Sequence, residues 1–252
     1  MKTILTSMII CSVLLGAVFL GMRTRRRLPP HHLNEETKAT VKAAVGLIAT
    51  MSALLLGLMV NSAKDTYDTL RSEVIQISAK LAFLDRGLHL YGPEAEPMRA
   101  KLRTGVEELR RTIWSESGGV QALNLNAGEA LFNTLQTLPA ATEQQRLVKA
   151  QILNEAVEIG QLRTLLRSQG LASISIPLLV MVVVWLIFIF FSFSVFAPPN
   201  STAATALTIS ALSVSAALFL VMELDRPFTG LIRISQVPLV NALIEDPKGA
   251  GK

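Results

Sequence analysis

Glu223, Asp225, Arg226 and Arg233 are the residues best placed to do chemistry, because they crowd the end of an apolar run, Thr202–Val221. Charged groups beside hydrocarbon are costly to desolvate, so they pair, reach the interface or line water. Pro227 sharpens the point: its fixed φ and missing N–H end or kink a helix and free backbone groups among those charges. Two uses fit this pattern. An Asp225–Arg226 pair can seal the end of a helix against lipid, or the group can ring a pore mouth and select ions by sign. Small and hydroxylated residues supply the rest of such a path. Gly46, Thr50, Ala53 and Gly57 make one stripe at spacings of four, three and four, and Ser210 and Ser213 sit within the last apolar run. Stripes of this kind either let membrane helices approach closely or border a narrow pore.

Catalytic patterns are missing from the sequence. It has no Gly-rich phosphate loop, no His/Cys zinc spacing and no Gly-x-Ser-x-Gly elbow. His31 and His32 with Glu35 and Glu36 come nearest to a metal set, but Pro29-Pro30 spoils helical geometry there. No metal and no cofactor are expected, and the chain does not read as an enzyme. Cys11, the single cysteine, lies inside an apolar run and can form no internal disulfide.

The elements that must position these residues are membrane helices. Half of the 252 residues are hydrophobic, too many for an ordinary soluble domain. Four stretches carry the excess: Ile4–Met22, Ala43–Val60, Leu171–Phe196 and Thr202–Val221. Each approaches the roughly 20 apolar residues that a bilayer needs. Arg23, Arg25, Arg26 and Arg27 follow the first, a stop-transfer pattern that argues for a retained helix meeting lipid headgroups. The net charge of +5 comes largely from this juxtamembrane segment, so nucleic acid is not an expected partner. Short basic loops stay cytoplasmic. The N-terminus and the polar block 61–170 are therefore expected on the extracytoplasmic side.

The sequence divides into spans at 1–22 and 43–60, a basic segment at 23–42 between them, and a polar helical bundle at 61–170. Spans at 171–196 and 202–221 follow, then a turn and tail at 222–252. Asn34 with Glu35 and Glu36 marks a helix start. Tyr67, Leu70, Val74, Ile77, Leu81, Leu84, Leu88 and Tyr91 alternate three and four apart with no internal Pro, so helix two should continue as a rod to Gly92-Pro93. Residues 94–115 place Met98, Leu102, Val106, Leu109 and Ile113 on one face. A shorter helix covers 127–138. Thr142 with Gln145 forms a capping-box pattern that opens another, running to Gly170. The third span, apolar all round over Val182–Phe196, is expected to face lipid. The fold class is all-α: four transmembrane helices with a helical bundle inserted between spans two and three.

Three elements carry a family resemblance. They are His32-Leu33-Asn34; Leu84-Asp85-Arg86 with Tyr91-Gly92-Pro93; and Glu223-Leu224-Asp225-Arg226-Pro227-Phe228-Thr229-Gly230 with Arg233, Ser235 and Pro238-Leu239. Together they resemble the bestrophin-like family of bacterial four-span membrane proteins. The resemblance implies distant kinship with bestrophins, which are pentameric anion channels with four spans and a helical block between spans two and three. The chain departs from bestrophins in three ways: its arginine cluster puts the block outside, its second span lacks neck aromatics, and Arg226 stands where an acidic calcium clasp would continue. The resulting expectation is an oligomeric protein of the bacterial inner membrane that conducts or gates a small ion, with an anion preferred on the family analogy. Membrane lipids and copies of itself are the expected partners. The alternative is a helical sensor or scaffold that works through a partner protein.

Overall fold

The computed structural model describes residues 2–29, 34–115, 119–124, 126–170 and 175–242. All regular structure within these residues is helical. Four helices are long and apolar enough to cross a membrane: α1 (Lys2–Arg25), α2 (Glu35–Tyr91), α6 (Ile176–Phe196) and α7 (Ser201–Leu224). Three more, α3 (Glu96–Ile113), α4 (Asn126–Gln136) and α5 (Glu143–Gln169), lie between α2 and α6, and a short α8 (Val237–Asn241) follows α7. The chain forms two compact units. One comprises 1–65 and 174–225, the other 66–173 and 226–252.

α2 begins where its sequence says it should. The Asn34 side chain accepts the Thr37 N–H at 2.8 Å, and Glu35 pairs with Lys38 at 2.6 Å. With no proline inside, the helix runs unbroken for 57 residues. It stops at Gly92, whose φ of 120° suits glycine and almost nothing else, and Pro93 then opens a 3-10 turn. Hence α3 starts at Glu96, two residues after its expected start at 94.

In the second unit the predicted seam is the core. Leu70, Val74, Ile77, Leu81, Leu84, Leu88 and Tyr91 are all buried, with Tyr67 packed against them. The expected face of α3 meets this seam: Met98, Leu102, Val106, Leu109 and Ile113 are buried in the same cluster. Each fully buried Leu or Ile contributes about 1.5–3 kcal/mol. The capping box of α5 is formed in both directions, with Gln145 N–H donating to Thr142 Oγ1 at 3.1 Å and Thr142 N–H to Gln145 Oε1 at 3.2 Å.

In the first unit α1, α6 and α7 pack together, and α2 adds Val45, Met59 and Ala63 to their core. One expectation is overturned here. α6 does not simply face lipid: 39% of its most apolar window is buried, the largest share among the four spanning helices. Val182, Leu186, Ile189 and Phe190 line its inner side. A helix apolar all round gives no sign of which side is enclosed. Gly21 of α1 marks a close approach to α6. A Cβ there would lie 2.6 Å from both the Phe191 carbonyl oxygen and the Ser194 Cβ. Gly21→Leu is therefore expected to cost about 1–3 kcal/mol by forcing α1 off α6, read as a lower melting temperature in lipid nanodiscs. An unchanged midpoint would refute the contact.

Candidate functional site

The acidic-Arg-Pro-Phe stretch is assembled from the end of α7 onward. α7 runs three residues past the apolar segment, to Leu224, so Glu223 sits inside the helix and is fully buried. Asp225 caps the helix. The chain then folds on itself: Gly230 N–H donates to the Arg226 carbonyl at 2.9 Å and Ile234 N–H to the Pro227 carbonyl at 2.7 Å. The turn sends Phe228, Ile234 and Leu239 into the bundle core.

Trp114, just past α3, clamps that turn. Its indole N–H donates to the Ile234 carbonyl at 2.8 Å, and its ring meets Phe228 edge to face at 5.4 Å between centroids. Arg110 adds a bond from Nη1 to Gln236 Oε1 at 2.8 Å. Glu107 holds Arg110 in place through paired bonds of 2.7 and 2.8 Å. Bonds from Arg110 and then Arg111 lower the Glu107 carboxyl to about 2, so it is ionised at neutral pH. The Pro-Phe-x-Gly element is thus an anchor onto the bundle. Its charges are divided: Glu223 and Asp225 belong to the spanning unit, Arg226 and Arg233 to the bundle unit. Both arginines are exposed, and Arg233 Nε donates to the Gly230 carbonyl at 2.7 Å.

Two further features escaped sequence reasoning. Asp85, in the Leu84-Asp85-Arg86 element, takes two bonds from Arg99, at 3.2 Å from Nε and 2.8 Å from Nη2, with both side chains 8% exposed. The Asp85 bonds are the main cause that raises the Arg99 pKa. Glu73, well beyond the spanning part of α2, is also buried; one carboxylate oxygen lacks a partner among the described residues, and burial raises its pKa. Only a spatial map could reveal either, because one rests on a pair from separate helices and the other on burial.

The small-residue stripe lies on the outside of the chain. Gly46, Thr50, Ala53 and Gly57 are all exposed, and a Cβ at Gly46 or Gly57 would meet nothing within 4 Å. α2 also has the least buried spanning window, 17%. Ser210 and Ser213 are likewise exposed on α7. Hydroxyls here bond back into their own helix: Thr50 to Gly46 at 3.0 Å, Thr208 to Ala204 at 2.9 Å and Ser213 to Ile209 at 2.9 Å, each to a carbonyl.

Arg25 bonds the carbonyls of Val195 and Ala197 at the C-terminal end of α6, where a cation complements the helix dipole. Arg25 and the 197–200 turn therefore share one end of the spanning unit. Arg23, Arg26 and Arg27 are exposed. His31 and His32 lie outside the described residues, and Glu35 and Glu36 are exposed on the first turn of α2.

With this geometry in view, the comparisons with known proteins define the class. The family model for the bestrophin-like domain matches residues 12–239, from within α1 through Leu239 in α8. The chain belongs to the bestrophin-like family, and it is an integral membrane protein of helical-bundle architecture. No curated protein and no solved structure matches it.

Proposed function

We propose that the chain is one subunit of a membrane oligomer that conducts a small ion, anions in preference, across the bacterial inner membrane. One observation carries this reading: the small and hydroxylated face of α2 is left open on the least enclosed spanning helix. A single chain encloses no path along Gly46, Thr50, Ala53 and Gly57. Copies arranged around an axis would enclose one, with Ser210 and Ser213 of α7 bordering it. Arg226 and Arg233, both exposed, would set a positive potential at its mouth. Arg23, Arg26 and Arg27 would meet anionic headgroups on the cytoplasmic side, leaving the bundle outside.

Cysteine accessibility tests the path, since Cys11→Ser gives a cysteine-free background. In that background Thr50→Cys and Ser213→Cys are expected to react with a charged, water-soluble thiol reagent, while Met51→Cys, exposed on a different side of α2, does not. Equal protection of all three would remove the pore. A sensor or scaffold acting through a partner remains the second reading, favoured by a cavity within the bundle. A stoichiometric copurified protein without ion flux would establish it.

A further inference from the structure

The bundle unit contains a cavity of about 360 Å³ between α2, α3, α4 and α5. Its walls include Leu81, Met98, Leu102, Val106, Leu131 and Ile159. A space of this size is in the range of small-molecule sites, which join apolar walls to a few polar groups; here Thr112 and Thr134 face the same space. Arg163 lines the same cavity. Its Nη2 donates to the Asn124 carbonyl at 3.1 Å, which holds the guanidinium at the cavity wall. A guanidinium stays charged and suits a carboxylate partner. Burial lowers the Arg163 pKa and the nearby Glu108 carboxylate partly offsets this. Lys101 and Glu108 stand at the exposed side, so two cations face one carboxylate around the cavity.

We propose that this cavity binds a small amphipathic monocarboxylate, its apolar body against the leucine-rich walls and its carboxylate paired with the Arg163 guanidinium. The pairing is charge-assisted. Glu108 disfavours a doubly charged ligand, which limits the class to one anionic head. The site stands independently of ion conduction.

Hexanoate and its neutral analogue hexan-1-ol are the probes, titrated calorimetrically into the full chain in lipid nanodiscs, with empty nanodiscs subtracted. Two variants accompany them. Gly105→Leu fills the cavity: Gly105 lines it, and a Cβ there meets nothing within 4 Å. Leucine also favours the helix. Arg163→Gln removes the charge. The expected result is saturable hexanoate binding to the wild type, at least about tenfold tighter than hexan-1-ol. Arg163→Gln should erase that preference, and Gly105→Leu should abolish binding of both. Circular dichroism and melting temperature confirm that each variant is folded. If Arg163→Gln fails to fold, the two probes on the wild type and the Gly105→Leu variant still decide. No saturable hexanoate binding up to about 20 mM, a generous limit for eight heavy atoms, would overturn the proposal. So would equal affinity for the two probes, or binding unaffected by Gly105→Leu.

Discussion

Asp85→Ala is expected to destabilise the bundle by about 3–5 kcal/mol, the range for breaking a buried ion pair from one side. The size follows from what is left behind. Arg99 is 8% exposed and gives Asp85 two of its bonds. Its other contacts are a 3.2 Å bond to the exposed Glu96 and a 3.4 Å approach to His89. Without Asp85 the guanidinium stays charged in a site that no longer compensates it. Asp85→Asn, which keeps an acceptor but no charge, should lose less. The Asp85→Ala, Arg99→Met double change should recover most of the loss, because no buried charge then remains unpaired: Glu96 and Arg103, which lose a partner, are exposed. Chemical unfolding of the three variants checks the series. Additive losses in the double variant would show that the pair is not coupled.

Trp114→Ala should be nearly as damaging, at about 3 kcal/mol. Three contributions meet in that side chain: its own packing, the edge-to-face contact with Phe228 and the indole bond to the Ile234 carbonyl. The aromatic pair contributes about 0.5–1.5 kcal/mol beyond area, and the bond about as much again. Trp114→Phe separates them, since it keeps a ring and loses the donor; a loss of about 1 kcal/mol is expected. The local signature is amide exchange. Ile234 N–H, bonded to the Pro227 carbonyl at 2.7 Å, should exchange much faster in Trp114→Ala, while α5 amides hold. Unaltered protection at Ile234 would mean that the Pro-Phe-x-Gly turn holds itself without the clamp.

The rod and bundle were legible because their signal is local and periodic. Leu70 to Tyr91 repeats at three and four residues, and the same spacing on α3 picks out five positions that are all buried. Capping was legible for the same reason, since Asn34 and Thr142 bond donors within three residues. α6 was misread because a helix apolar on every side carries no phase. The anchoring role of Phe228, Ile234 and Leu239 was invisible, for their spacings of six and five fit no helical or strand period. Asp85 and Arg99 lie on different helices, so nothing in sequence joins them. The Gly46–Gly57 stripe could be seen, but whether it packs within the chain could not. The structure leaves it exposed, and that exposure carries the channel reading.

Ion flux from liposomes holding the purified protein, beside an Arg226→Ala variant, tests that reading most directly. The account predicts anion-selective flux, with selectivity weakened when the exposed positive charge at the mouth is removed. Absence of flux across varied pH, calcium and voltage, from protein shown to be folded and reconstituted, would contradict it.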